Sequence, residues 1–156
     1  MNKFLEFKAM GSFVITHVHT VFGTKSREAL IQPRFENHLY KYISGIGKRK
    51  GIPIIKTGGM SDHIHILLLQ PGKMPLCDIM QVIKGNTSKW INDNYYPDRR
   101  FRWQGGYGAF AVSMSQIEVV KRYIHNQKEH HKHYDFDSEY HNLLVKHKAN
   151  IAVKHK

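Results

Sequence analysis

The clearest periodicity in the chain lies between residues 58 and 70. There Ile64, Ile66 and Leu68 alternate with His63, His65 and Leu67, the period-two pattern of a strand. Gly58, Gly59, Ser61 and Asp62 ahead of it are turn formers, so the stretch predicts a turn and then a strand. The apolar run from Ile66 to Leu69 argues that this strand is buried. Residues 13–22, β-branched and aromatic, predict an earlier strand, followed over 23–27 by a basic loop with Ser26 as a helix N-cap. Residues 27–45 predict a helix, because Ile31, Phe35, Leu39, Tyr42, Ile43 and Ile46 recur at spacings of three and four. Pro33 should fall in its first turn or kink it, and Gly45 and Gly47 should end it. Lys48, Arg49 and Lys50 then read as a basic turn, and residues 51–57 as a short strand.

After a loop over 71–75, residues 76–94 predict a second long helix with Leu76, Ile79, Met80, Ile83, Thr87, Trp90 and Ile91 on its buried stripe. Residues 95–106 are irregular and basic, Arg99, Arg100 and Arg102 interleaving with Phe101 and Trp103. Cations among aromatics suit phosphates and stacked bases; a solvated loop with one Trp tucked into the core accounts for them equally well. Residues 107–113 predict a fourth strand. Ser113 or Ser115 should cap a third helix running to about residue 131, with Ile117, Val120 and Ile124 as its core stripe. Residues 136–148 predict a last helix with Phe136, Tyr140, Leu143, Leu144 and His147 on one face.

The first six elements give the order strand, helix, strand, strand, helix, strand. This is the split βαβ arrangement of α+β, ferredoxin-like (RRM-like) domains: an antiparallel four-stranded sheet with two helices on one face. The first and third strands are then the central pair, and two helices are added at the C-terminal end. Residues 13–148 are expected to form a single domain. Residues 1–12 are a peripheral segment in which Ala9, Met10, Gly11 and Ser12 resemble a cloning scar, and residues 149–156 are a tail.

Composition narrows the function. The chain has 156 residues, 41% of them hydrophobic, enough for one packed domain. Its net charge of +12 favours a polyanionic partner, nucleic acid before anionic membrane. No apolar run is long enough to cross a bilayer, and the start lacks the apolar core of a signal peptide. The lone Cys77 excludes an internal disulfide and a Cys-rich zinc site. A cytoplasmic location is the default expectation.

Two His-x-His pairs carry candidate chemistry: His63 with His65, and His17 with His19. On a strand, residues two apart share a face, roughly 7 Å apart at Cα, so either pair can converge on one metal ion. Both fall on central strands. On the third helix Tyr123 and Gln127 are four apart and share a face turned from the Ile124 stripe. A phenol can attack phosphorus, and an amide oxygen can join imidazoles on a metal. A boundary aromatic is the alternative for Tyr123. His130 and His131 read as helix-end or DNA-contacting residues.

Several segments together resemble one family. They are Val21-Phe22-Gly23-Thr24-Lys25, Asp62-His63-Ile64-His65-Ile66-Leu67, Ile83-Lys84-Gly85-Asn86-Thr87-Ser88-Lys89-Trp90-Ile91, Trp103-Gln104-Gly105-Gly106-Tyr107-Gly108-Ala109-Phe110 and Tyr123-Ile124-His125-Asn126-Gln127. In this order and spacing, over about residues 13–146, they resemble the single-tyrosine HUH transposases of hairpin-ended insertion sequences and their repeat-associated relatives. The resemblance implies His63, His65 and Gln127 as metal ligands and Tyr123 as nucleophile, and it sets aside His17 and His19 as the ligand pair. It implies a nickase and strand transferase acting on hairpin-bearing single-stranded DNA through a 5′-phosphotyrosine, with Mg²⁺ or Mn²⁺. It further implies a homodimer whose active sites are shared between subunits, in a prokaryotic, nucleoid-associated setting. Lys25, Arg27, Lys84, Lys89, Arg99 and Arg102 are the candidate DNA contacts.

Three other functions are weighed against it. A histidine-triad hydrolase needs a third alternating histidine, where this chain has Leu67. Rolling-circle initiators and relaxases share paired-histidine chemistry but are usually larger. A non-enzymatic RNA-binding module of the same fold would want exposed aromatics on its central strands.

Overall fold

A computed structural model describes residues 12–147. Four strands, β1 (His17–Gly23), β2 (Ile54–Gly59), β3 (His63–Leu69) and β4 (Gly108–Val112), form one antiparallel sheet in the order β2-β3-β1-β4. The expected α+β, ferredoxin-like sheet is therefore present, with β1 and β3 at its centre. The helices α1 (Pro33–Lys50) and α2 (Leu76–Tyr95) follow β1 and β3. C-terminal to the sheet come α3 (Ile117–His125), a single turn α4 (Gln127–His130) and α5 (Phe136–Lys146).

The period-two alternation sorts the central strands into two faces. Val18 and Phe22 of β1 with Ile64, Ile66 and Leu68 of β3 meet Phe35, Leu39 and Ile43 of α1 and Ile79, Met80, Ile83 and Ile91 of α2 in the main core. The opposite face carries His19, Val21, His63, His65 and Leu67. Phe136 and Leu143 of α5 pack there against Val21 and Phe110, and α3 lies against β2 and β3. Both faces of the central strands are thus covered.

Several expected boundaries move, each for a local reason. The first strand begins at His17, not at residue 13; Phe13, Val14 and Ile15 are exposed and outside the sheet. Ser26 caps no helix, because it lies inside a 3-10 turn (Lys25–Arg27) at φ 57°. α1 begins at Pro33, the position where a missing N–H costs nothing, and runs through Gly45, Gly47 and the basic residues to Lys50. It ends at Gly51, which adopts the left-handed φ of 69° suited to glycine. Gly58 and Gly59 belong to β2 and are not a turn. A Cβ on Gly58 would lie 2.5 Å from the Ile124 carbonyl oxygen, so glycine is what lets α3 approach the sheet. The third helix is also not continuous to residue 131. It breaks at Asn126, and neither Ser113 nor Ser115 caps it, since their hydroxyls meet each other at 3.2 Å. The loop aromatics are core: Phe101 is 1% exposed, and Trp103 packs on Phe22 and donates to Thr87 Oγ1 at 2.9 Å. Of the expected peripheral segment 1–12 only Ser12 is described, and the expected tail 149–156 lies outside the described residues.

Two glycines give opposite predictions. Gly58→Ala should destabilise the fold by about 1–3 kcal/mol, because α3 must withdraw from β2. Gly85 sits mid-helix in α2 with nothing within 4 Å of an added Cβ, so Gly85→Ala should stabilise by about 0.5–1 kcal/mol. Urea unfolding of the two variants tests both signs.

Candidate active site

The site is built on the α3–α5 side of β3. His63 and His65 are both fully buried there. Their Nδ1 atoms are held from behind: His63 by the Asp62 carboxylate at 2.7 Å, His65 by His19 Nε2 at 2.8 Å. Their Nε2 atoms turn to a common point. His63 Nε2 is 3.1 Å from Gln127 Oε1, so Gln127, 1% exposed, meets the pair as expected despite the break at Asn126. Tyr123 packs edge-on to His65 with ring centroids 5.7 Å apart. All four residues singled out in the sequence come together within one chain.

At the centre of this group is a residue the sequence reading missed. Glu139 of α5 is 1% exposed. Its Oε1 lies 2.7 Å from His65 Nε2 and 3.2 Å from His63 Nε2. Its Oε2 accepts from the Tyr123 hydroxyl at 2.6 Å and from Gln127 Nε2 at 3.0 Å, and lies 3.1 Å from His131 Nε2. His130 Nε2 stands 3.4 Å from the same oxygen. His130 and His131 are thus site residues. The signal for Glu139 was present: it falls three residues after Phe136 and four before Leu143, a lone acid inside an apolar helical stripe. Asp62 was likewise quoted without a role.

The electrostatics follow from burial opposed by pairing. Burial works against the charge of Glu139, but hydrogen bonds from His63 and His65, the charge of His65 and the bond from Tyr123 outweigh it and hold the carboxyl far below its usual range. Burial, and then the contact with Glu139, push the Tyr123 phenol well above its ordinary value. Burial lowers His65. For His63 burial is outweighed by hydrogen bonds to Asp62 and Glu139, which raise it. Burial, then the charge of His65, push His19 down to about 3.

His63, His65 and Glu139 each offer a ligand atom within 4.8 Å of the others, a group that could hold a metal. A ligand polyhedron with bonds of about 2.1 Å has edges near 3 Å, and the two histidine–carboxylate contacts, 3.2 and 2.7 Å, are of that length. The donor set of imidazole nitrogens, one amide oxygen and one carboxylate suits a divalent ion.

A cleft of about 380 Å³ between β4, α3 and α5 opens onto Tyr123 and Glu139, with Asn142, Lys146 and His147 among its walls. Of the candidate DNA contacts, Lys25 and Arg102 line a separate small cleft with Arg100. Lys84 donates to the carbonyls of Gln104 and Gly106 and pins that loop. Lys89 and Arg99 both pair with Asp93. Arg27 pairs with Asp137 and lies 4.1 Å over the Phe136 ring, tying down the start of α5.

The profile described as "Transposase IS200 like" matches residues 12–127. The chain belongs to the IS200-like transposase family. The transposase for insertion sequence element IS200 of Salmonella typhimurium is 27% identical over 120 residues, 73% of this chain and 78% of that protein. The ISDra2 transposase TnpA of Deinococcus radiodurans is 21% identical over 127 residues, 78% of this chain and 91% of its own. The fold recurs in a protein from Deinococcus radiodurans described as a transposase, with a TM-score of 0.61 at 20% identity, covering 75% of this chain and 94% of that one. It recurs again in a REP-associated tyrosine transposase bound to a REP hairpin, with a TM-score of 0.59 at 13% identity, covering 77% and 71%. Family membership identifies a transposase, and no helix among the described residues is long and apolar enough to cross a membrane. Glu139 lies beyond the span that the family profile matches.

The buried groups predict an acid-sensitive fold. Between pH 6.5 and about 3 the unfolded chain protonates His19 while the folded ring resists it, so stability falls as pH falls through that window. The depressed Glu139 and Asp62 act in the same direction below the ordinary carboxylate range, whereas the raised His63 opposes them, its contribution being lost as pH rises. His19→Gln cannot titrate. Its urea-unfolding stability should therefore decline less between about pH 6.5 and pH 4, by roughly 3 kcal/mol. Parallel slopes in the two proteins would count against the assignment.

Proposed function

We propose that this transposase nicks and rejoins single-stranded DNA beside hairpins through a 5′-phosphotyrosine on Tyr123. The observation that carries the reading is the convergence of the Tyr123 hydroxyl with His63, His65 and Gln127 around Glu139 in one buried cluster. His63, His65, Gln127 and Glu139 would hold a divalent ion, Mg²⁺ or Mn²⁺, with the carboxylate favouring a hard cation and the imidazoles favouring Mn²⁺. When bound, such an ion acts as a Lewis acid toward the scissile phosphate and the leaving oxygen.

The chain's own groups do the rest. Tyr123 is held as a phenol, and the nearest acceptor for its proton is Glu139 Oε2. As the phenol oxygen bonds to phosphorus, the bond from phosphorus to the 3′-oxygen breaks; the phenol proton is lost and the 3′-oxygen gains one. The phosphodiester energy stays in the covalent link, so a second 3′-hydroxyl can resolve it and join strands without ATP. The cleft beside Tyr123 gives the strand its approach, and Lys146 at its wall offers a cation to the backbone. Lys25 and Arg102, free of ion pairs among the described residues, are the best placed of the six candidate DNA contacts. The covered sheet leaves an RNA-binding module no exposed aromatic platform on the central strands, which favours the enzyme over that alternative.

Incubation with hairpin DNA from the flanks of its own gene, plus Mn²⁺ or Mg²⁺, should yield a covalent protein–DNA adduct. Tyr123→Phe should fold and give none; an adduct that persists in Tyr123→Phe moves the role to another residue. Hairpin affinity should fall linearly in log K against log salt, as the +12 charge requires. The resemblance implies a homodimer with shared sites, whereas the geometry supports a site complete within one chain. A purified heterodimer of Tyr123→Phe and His63→Ala separates these: nicking by it means shared sites, and inactivity means each chain uses its own.

A further inference from the structure

Three histidines are buried among the described residues, and the chemistry above uses two of them. The third, His19, is 2% exposed on the central strand β1. It belongs to the second His-x-His pair; His17, its partner in sequence, starts the strand opposite Leu69 and Val112. His19 Nε2 is 2.8 Å from His65 Nδ1, and the two rings are stacked with centroids 5.1 Å apart. Asp62 does the corresponding work for His63, at 2.7 Å from its Nδ1. The two candidate ligand rings are therefore held at the same nitrogen by chemically different partners, an acid and a neutral imidazole. A partner on one ring nitrogen fixes both the orientation of the ring and which nitrogen is left to bind a metal.

We infer that His19 is a positioning residue for the metal centre, holding the His65 ring through Nδ1 both before and after an ion binds. The inference rests on the metal reading above. Without an ion, His65 Nε2 carries its hydrogen toward the Glu139 carboxylate, so Nδ1 accepts a bond from His19 Nε2–H. With an ion on Nε2, the hydrogen sits on His65 Nδ1 and is donated to His19 Nε2. The bond survives only if the partner donates in one state and accepts in the other. A neutral imidazole does this by moving its own hydrogen between Nε2 and Nδ1; an ionised carboxylate, as at Asp62, only accepts. His19 also lines the cleft beside Tyr123, where solvent can exchange the hydrogen that this shift requires.

The test is Mn²⁺ titration calorimetry on the full chain, with hairpin affinity and thermal unfolding followed in parallel. His19→Phe keeps the ring and its packing but loses the bond, and it should weaken Mn²⁺ binding about 10- to 100-fold with hairpin affinity unchanged. His19→Gln carries an amide that both donates and accepts, and it should recover most of the loss. Mn²⁺ affinity of His19→Phe within two-fold of the parent overturns the inference, as does equal weakening in His19→Phe and His19→Gln, which would mark shape rather than the bond. If His19→Phe does not fold, His19→Leu against His19→Asn makes the same comparison in a smaller volume. Failure of the metal reading itself looks different: His63→Ala would then bind Mn²⁺ as well as the parent.

Discussion

A carboxylate that is 1% exposed and ionised has to be surrounded by donors, and Glu139 is. Two imidazoles, a phenol and an amide reach it at 2.6–3.2 Å, with His131 at 3.1 Å behind them. Stripping an ion of water costs several kcal/mol, and it is recovered only when nearly every lone pair finds a partner. That requirement ties together parts of the chain far apart in sequence: β3 at residues 63–65, the end of α3 at 123, the turn at 127 and α5 at 139. Truncating any one donor leaves the charge under-satisfied, whereas removing Glu139 leaves five groups, His63, His65, Tyr123, Gln127 and His131, without their common partner. The cluster is therefore cooperative, and single substitutions in it are not expected to add.

The sheet makes this cluster possible by its alternation. Because successive side chains on β3 point to opposite faces, Ile64, Ile66 and Leu68 enter the main core while His63 and His65 face α3 and α5. The antiparallel register sets Val21 opposite His65 and His19 opposite Leu67, so His19 reaches His65 along the diagonal. On β2, Gly58 removes the one side chain that would hold α3 off the sheet, and Tyr123 and Gln127 reach the histidines as a result. The polar site and the apolar core are two readings of the same two strands.

How much of this could be read from the sequence depended on whether a residue's role was local. β3 and α2 were legible because their periodicities are regular and their partners need not be known. Residues 13–16 look like strand by composition but lie outside the sheet, with Phe13, Val14 and Ile15 exposed, so tertiary context overrode propensity. Gly45 and Gly47 carry the composition of a helix end, yet α1 passes through them, because its stop is set by the backbone conformation at Gly51. Gly58 and Gly59 read as a turn, although both belong to β2, where Gly58 packs closely against Ile124 of α3 and Gly59 against the backbone of β3. The histidine pair, Tyr123 and Gln127 were found through short spacings and a family resemblance. Glu139 escaped because none of its partners lies in its own helix, although an acid in the middle of an apolar stripe is the kind of local inconsistency that marks a functional site.

Glu139 also places the site in two chemical states. In the cluster as it stands, hydrogens on His63 and His65 Nε2 face the carboxylate. A divalent ion would need those same lone pairs, so it and the hydrogens compete for one set of atoms. Such competition would couple ion binding to pH, and both to Tyr123, whose hydroxyl shares the carboxylate. A divalent ion held at Glu139 would share that carboxylate and so weaken its hold on the hydroxyl. The segment that supplies Glu139 lies beyond the residues 12–127 that the family model matches, yet it is anchored by an Asp135 cap, the Phe136 and Leu143 contacts and the Arg27–Asp137 pair. In this chain, then, the surroundings of the Tyr123 hydroxyl depend on a helix outside the span that the family model matches, and α5 belongs to the candidate site rather than being an appendage to it.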